Sequence, residues 1–445
     1  MFMQRKGLKG IVGSVVISSL LLTTGFSAAT EKSIAAEQDK KYEKKENVTS
    51  VQLLDQGKWA PDTYEAIQNL INEYGAQSSK YKTEKKPYAI FDWDNTSIMN
   101  DTEEALFFYQ IDHVKFDLTP EEFYTVLRTN IPEGPFSKNY KNNSGELVTL
   151  EAITNDLKRD YEYLYRHYKG LKGNQSLDAI RASDHFQDFK VKLYFLYEAI
   201  GDTYSTDISY PWVLYLFSNM SVGEVKQLAE NSNDLNLGAA ISEEKLTSPQ
   251  PLHGEAGVVS VSHINGLRLA PEISNLMHTF QNNGIDVYVV SASMEEVVEA
   301  FASNPKYGYT LPEENVFGMR LKKEAGIIKP VYEENYQITA GHGKTETIIN
   351  EIASKKGGYG PIFVAGDSNT DYEMLTDFKD TKLRLIINRV RGGKIGELSK
   401  LAASRMGKNN AKYVLQGRNE NTGLWIPTES TIKLGTNEKV LLAND

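Results

Sequence analysis

Tyr88-Ala89-Ile90-Phe91-Asp92-Trp93-Asp94-Asn95-Thr96 decides the reading of this chain. Four apolar residues follow the polar breaker Glu84-Lys85-Lys86-Pro87 and stop abruptly at two carboxylates. A short apolar run bounded this way predicts a strand buried on both faces. In an open parallel sheet, ligands bind outside the carboxyl ends of the strands, so Asp92 and Asp94 stand where a site forms. Residues two apart on a strand point the same way, so the pair is expected to face one substrate by strand alternation.

The same pattern recurs downstream. Strand-like runs at 286–290 (DVYVV), 361–365 (PIFVA) and 383–387 (LRLII) follow helical patterns such as Pro271 to Asn283. This spacing predicts a parallel sheet with crossover helices, an α/β Rossmann-like core. Two of these runs end in polar residues: Ser291-Ala292-Ser293, and Gly366-Asp367-Ser368-Asn369-Thr370-Asp371. Lys344 opens a helical stretch between them. Gly343-Lys344-Thr345 is not a nucleotide phosphate loop, because Ile338 stands where that loop needs glycine. Between the first two strands, residues 101–263 are rich in Tyr, Phe and Leu, are broken by Pro132, Gly134, Gly170, Gly173 and Pro251, and read as mostly helical.

The order Asp92-x-Asp94-x-Thr96, Ser291, Lys344, Asp367-x-x-x-Asp371 resembles the haloacid dehalogenase superfamily, over about Tyr88 to Arg389. Shorter strings resemble its exported bacterial phosphatases related to phosphoserine phosphatase: Asp101-Thr102-Glu103-Glu104, Gly266-Leu267-Arg268-Leu269, Phe317-Gly318-Met319-Arg320-Leu321 and Gln416-Gly417-Arg418. Trp93 departs from them, since Met is usual there. The resemblance implies a Rossmann-like core with a large helical cap inserted between the first and second motifs. It implies Asp92 as nucleophile, Asp94 as acid and base, and Lys344 and Ser291 as phosphate-binding groups. Thr96 would orient Asp94 or the turn, Ala292 would bind substrate through its backbone, and Asp371 would support Lys344 or a metal-bound water.

A phosphomonoester repels a carboxylate nucleophile, so such a site needs a cation between them. Asp92, Asp367 and a backbone carbonyl of the Trp93–Asp94 stretch offer the hard oxygen set that suits Mg2+. A choline ester would want aromatic faces and a carboxylate. Glu103 and Glu104 are candidates, or else an exposed first-turn pair at a helix N-terminus. Tyr210, Trp212 and Tyr215 lie in a run that reads first as helical core and second as a cation cage. The seven histidines show no metal-ligand spacing, although His342, two before Lys344, lies within sequence reach of the phosphate.

The chain has 445 residues, no cysteine, 40% hydrophobic residues and a net charge of −10. This rules out disulfides, thiolate metal sites and a cysteine nucleophile, and it disfavours nucleic acid as partner. Arg5, Lys6 and Lys9, the short apolar run Ile11 to Leu22 and the small residues after it have the layout of a secretory signal peptide. The expected organisation is a signal peptide at 1–29, with cleavage as late as 35, then a leader and helix at 30–80. The catalytic core is expected at 81–100 plus 264–400, the cap at 101–263, and a C-terminal extension packed on the core at 401–445. The expected protein is secreted, without lipid or membrane anchor. It hydrolyses small phosphate monoesters, phosphorylcholine first among them. The alternatives are a broad or phosphoserine/phosphoethanolamine phosphatase, and a secreted binding protein that kept the fold without the chemistry. Oligomeric state is left open.

Overall fold

The computed structural model describes residues 51–442. The expected signal peptide and the leader up to residue 50 lie outside the described residues. Six strands form the main sheet: β1 (Tyr88–Phe91), β2 (Asp286–Met294), β3 (Val316–Met319), β4 (Phe363–Gly366), β5 (Leu383–Ile387) and β6 (Tyr413–Gln416). All neighbours are parallel, in the spatial order β6-β5-β4-β1-β2-β3. The chain builds outward from β1 on one side through β2 and β3, then crosses to the other side for β4. The topological switch point is therefore the β1/β4 boundary, where Phe91 pairs with Ala365.

Side chains of β1 alternate between two cores. Ala89 and Phe91 join one with Ile67, Leu276 and Phe280; Tyr88 and Ile90 join another with Ile348, Met374 and Leu375. Burial on both faces explains why the strand reads as an unbroken apolar run. β3 and β6 escape the sequence reading. β3 holds Gly318 mid-strand, which weakens the local signal, yet a Cβ there would meet the Glu295 nitrogen and Ser293 oxygen at 2.6 Å.

The helix Pro61–Tyr74 covers one face of the sheet, with Pro at its start and Thr63, Ile67, Leu70 and Ile71 buried. The segment between β1 and β2 carries the helices Thr102–Asp112, Pro120–Arg128, Leu150–His167, Asp184–Thr203, Thr206–Leu214 and Val222–Gly238 around their own apolar core. Lys192 is buried between Asp156 and Asp188, at 2.8 Å from each, and Arg159 reaches Asp188 at 2.7 Å. These pairs tie two of the helices together; a buried network of this kind specifies geometry more than it adds stability.

The segment is not helical throughout. Ser242–Thr247 and Ser260–Asn265 form an antiparallel hairpin, paired from Ser242↔Asn265 to Thr247↔Ser260. Five of the six residues of the first hairpin strand are exposed, so no apolar alternation marks it in the sequence. Where the segment leaves and rejoins the core, Ile98–Met99 pairs with Arg268–Leu269. After β6 the chain forms a four-stranded appendage from short strands at 418–419, 424–425, 431–432 and 439–440.

Candidate active site

β1 ends at Phe91, and the next residues turn sharply. The Trp93 carbonyl accepts from the Ser97 amide at 2.7 Å and more weakly from those of Thr96 and Ile98. Asn95 has φ +62°, a left-handed conformation that Asn tolerates well. The Trp93 ring is buried edge-on to Phe301 and Tyr309. Asp94 is therefore aimed by a turn and not by strand alternation, which corrects the sequence reading. The Trp93 carbonyl, offered by the sequence as a metal ligand, is taken up in closing this turn.

Asp92, Asp367 and Asp371 are buried with one carboxylate oxygen of each within 4.8 Å of the others. Lys344, almost fully buried, bridges Asp92 at 2.5 Å and Asp371 at 2.6 Å. Thr96 donates to Asp92 at 2.8 Å or to Asp367 at 2.9 Å. Its hydroxyl orients the carboxylates of the cluster and not Asp94, while its amide joins the local turn through the Trp93 carbonyl, the other role expected of it, and it is not among the residues lining the cavity. Asp371 also accepts the amides of Asp367 and Ser368, each at 2.9 Å, on its other oxygen. The second oxygen of Asp371 is thus taken up by two backbone amides and the Ser368 hydroxyl, which fixes Lys344 and the β4 loop, whereas Asp92 and Asp367 share the single proton of the Thr96 hydroxyl and are left freer to meet a cation. Gly366 is required here, because its Cβ would lie 2.7 Å from that of Asp371.

Arg389, just beyond β5, donates to Asp367 at 2.7 Å. Burial would raise the Asp367 carboxyl, but Arg389, joined by Arg391 and Arg418, outweighs it and holds the group below its ordinary value. Asp92 goes the other way: burial, then repulsion from Asp371, pushes it well above the usual carboxylate range against the pull of Lys344. Three buried carboxylates face two paired cations, a donor set and charge excess that fit a divalent metal.

Asp94 stands apart from this cluster. One oxygen accepts the Thr102 amide at 2.7 Å and the Thr102 hydroxyl at 2.6 Å. The other accepts the Ser293 hydroxyl at 2.6 Å and the Ser291 hydroxyl at 3.3 Å. Its side chain is therefore no part of the metal cluster. The β2–β3 pairing shifts register between Val290 and Met294, an irregularity beside the stretch that turns both serines toward Asp94. Burial raises the Asp94 carboxyl, while Ser293 and Thr102 oppose that.

These groups share a cavity of about 290 Å³ with Ala292, Asp101, Glu103, Glu104, Tyr197, Glu198, Asp202, Tyr210, Arg389 and Arg391. The helix Thr102–Asp112 starts at its wall, capped by Asp101. Glu103 is buried rather than exposed; it accepts the Met294 amide at 2.9 Å, and burial pushes it up to about 8. Glu104 accepts from the Tyr194 hydroxyl, and His263 Nδ1 lies 3.0 Å from that hydroxyl. Burial would raise Glu104, but the nearby His263 ring, 3.7 Å away, and the Tyr194 hydroxyl outweigh that and bring it below the ordinary value. Of the three aromatic candidates only Tyr210 lines the cavity; Trp212 and Tyr215 are buried in the helical core, where the Trp212 indole donates to the Leu127 carbonyl at 3.0 Å.

His342 is exposed beside Glu346 and Asp377 and does not line the cavity. A larger groove, of about 610 Å³, runs between the helix Pro61–Tyr74 and residues 405–415, and it contains none of the motif residues. Sequence reading missed Ser293, Arg389, Arg391 and the Tyr194–His263 pair. Arg389 and Arg391 follow a strand as the motif residues do, so the strand-end rule would have found them. Nothing local marks Tyr194 and His263, which are 69 residues apart.

A parallel sheet with carboxylates at its switch point and an insertion after the first motif defines a hydrolase of the haloacid dehalogenase type. No family model matches the chain. It is 26% identical over 333 residues to phosphorylcholine phosphatase of Pseudomonas aeruginosa, covering 68% of this chain and 75% of that one. The solved structure of a conserved, functionally unknown protein from Anaerococcus prevotii is similar at TM-score 0.80 and 34% identity, covering 86% of this chain and 99% of that one. A phosphoserine phosphohydrolase-like protein from Francisella tularensis matches at TM-score 0.33 and 14% identity, over 71% of this chain and 93% of that one. With its fold, its buried aspartates and these similarities, the chain is a phosphatase that resembles those of the haloacid dehalogenase superfamily.

Proposed function

We propose that the cavity hydrolyses small phosphate monoesters with Mg2+, through a covalent phosphate on Asp92, and that its preferred substrates are phosphate esters of cationic amino alcohols, phosphorylcholine first. The observation that carries this reading is the polarity of one cavity. Lys344, Arg389, Arg391, Ser291 and Ser293 line it from the core, with Lys344 on Asp92, Arg389 on Asp367 and the serines on Asp94, whereas Asp101, Glu103, Glu104, Glu198 and Asp202 line the wall given by the inserted segment. A substrate with phosphate at one end and fixed positive charge at the other matches both walls.

The metal would be held by Asp92, Asp367 and the Asp94 carbonyl, and it supplies charge neutralisation at the phosphoryl oxygens. An Asp92 oxygen attacks phosphorus as the bond to the leaving oxygen breaks. Lys344 stays beside Asp92 and balances phosphoryl charge. Asp94, its proton favoured by burial, gives that proton to the departing alkoxide. Water then attacks phosphorus, Asp94 takes back a proton, and the Asp92–phosphate bond breaks to release phosphate. Ser291 and Ser293 fix the Asp94 carboxyl, and the Ser291–Ala292 backbone faces the phosphoryl group.

The relative named phosphorylcholine phosphatase favours the choline end of this class. Export is part of the proposal and rests on the charge and apolar pattern of residues 1–35. Among the described residues no helix is long and apolar enough to cross a membrane.

The test is a panel of phosphorylcholine, phosphoethanolamine, phosphoserine and p-nitrophenyl phosphate, each with Mg2+ and with chelator. Turnover lost on chelation and highest kcat/KM for phosphorylcholine are expected. Equal kcat/KM for all four removes the cationic-substrate reading, and turnover unaffected by chelator removes the metal.

A further inference from the structure

Arg418 belongs to the C-terminal appendage, outside all four motifs. It is only 2% exposed and ranks among the largest fully buried side chains. A buried guanidinium is costly unless its donors are met by well-placed acceptors. Its acceptors are informative. It donates to the Asn95 carbonyl at 3.2 Å, to the Asn95 side-chain oxygen at 3.1 Å, and to Glu420 at 3.1 Å. Glu420 is in turn paired with Lys433 at 2.8 Å. Asn95 is the left-handed residue between Asp94 and Thr96, so the guanidinium fork grips the backbone unit that directly follows Asp94 and directly precedes Thr96, whose hydroxyl holds Asp92 and Asp367.

The same appendage grips the opposite side of the cluster. Thr431 donates to the Asn388 carbonyl, and its hydroxyl accepts the Arg418 amide at 3.1 Å. The Asn388 amide group donates to the Glu429 carbonyl at 2.7 Å, and Lys433 reaches the Arg389 carbonyl at 3.3 Å. Val390 follows at φ +56°, a strained conformation for a β-branched residue that persists only where neighbours enforce it. Between Asn388 and Val390 stands Arg389, the partner of Asp367.

We propose that the appendage at 418–440 sets the two metal-facing carboxylates of the active site, with Arg418 as a positioning residue acting on Asp92 and Asp94 through Asn95, and Thr431 and Lys433 acting on Asp367 through Asn388 and Arg389. The proposal rests on the reading of Asp92 and Asp367 as the cation site. Arg418 itself touches neither substrate nor cation. Lysine cannot replace its fork, because it presents a point charge rather than two parallel donors.

The experiment compares the full chain with Arg418→Gln, Arg418→Lys, Asn95→Gly and the double variant Arg418→Gln/Asn95→Gly. Three quantities are read: Mn2+ affinity by electron paramagnetic resonance without substrate, kcat and KM for p-nitrophenyl phosphate, and Tm. Arg418→Gln is expected to weaken Mn2+ binding and to lower kcat, each by about 10- to 100-fold, as loss of a group that orients metal ligands typically does. KM should move far less, and Arg418→Lys should recover only part of the loss. Asn95→Gly keeps the turn's φ while removing the side-chain contact, so adding Arg418→Gln to it should cost much less than in the wild type.

A lowered Tm with unchanged kcat and Mn2+ affinity would overturn the proposal and leave Arg418 as packing alone. Effects that simply multiply in the double variant would overturn it as well. Should Arg418→Gln fail to fold, Asn95→Gly and Lys433→Ala carry the same readouts from the two ends of the contact. If the wild type neither binds Mn2+ nor turns over, the cation site itself is wrong and this inference falls with it. A wild type that does both while the variants match it removes only the appendage's role.

Discussion

The two walls of the cavity are built by different means. On the core wall, carboxylates at strand ends meet opposite charges: Asp92 and Asp371 meet Lys344, which comes from the helix His342–Thr347, and Asp367 meets Arg389. On the opposite wall stand carboxylates at a helix start and along the helix Asp184–Thr203, and Glu104 among them is tuned by burial, the His263 ring, the Tyr194 hydroxyl and, more weakly, Arg389. The core wall is largely paired within itself, and the wall given by the inserted segment is lined by five carboxylates. On the proposed function, chemistry common to phosphate esters sits on the sheet, and selection among esters sits on the inserted segment.

The strongest way to break this division is Asp92→Asn. It should lower kcat by at least about 10^4-fold on every substrate with the fold retained, read by steady-state kinetics and circular dichroism. Substantial residual turnover would remove the nucleophile from the core wall. Asp94→Asn comes next. A proton donor contributes about 10^2- to 10^4-fold, and the loss should be largest for the poor alkoxide leaving group of phosphorylcholine and smallest for p-nitrophenyl phosphate. Equal losses on both would show that Asp94 acts in some way other than on the leaving oxygen.

Glu104→Gln tests the other wall. KM for phosphorylcholine should rise about tenfold, while the constants for p-nitrophenyl phosphate stay within about twofold. A matching rise on both substrates would place Glu104 on the phosphate side. The smallest effect is on pH. Burial raises Glu103 to about 8 and Glu198 to about 7, so both carry protons below these values and lose them above. The wall therefore gains negative charge between about pH 6 and pH 9, whereas the choline charge does not titrate. KM for phosphorylcholine relative to the aryl ester should fall about three- to tenfold over that range. A flat ratio would separate these two carboxyls from substrate recognition.

How much of this was legible in the sequence follows from the same division. β1 and β5 match their apolar runs residue for residue, because strands buried on both faces need no periodicity to be seen. The residues ending the strands were legible because a polar group just after a buried run has few reasons to be there. Three things were hidden. The aim of Asp94 depends on a left-handed turn at Asn95, which strand alternation does not anticipate. The hairpin at 242–265 has no apolar alternation because most of its first strand is exposed. The pairing of Glu104 with Tyr194 and His263 joins three separate parts of the inserted segment, and only tertiary packing brings them together.

Thr102 gives the hydrogen bonds from its amide and hydroxyl that hold one oxygen of Asp94, and Thr102 is also the first residue of the first helix in the inserted segment. On the proposed function, the proton donor and the wall that chooses the leaving group are thus fastened to the same residue. Exchange of this insertion for another, by recombination or by design, would replace the clamp on the acid together with the pocket, so selectivity and acid strength would be inherited as one trait.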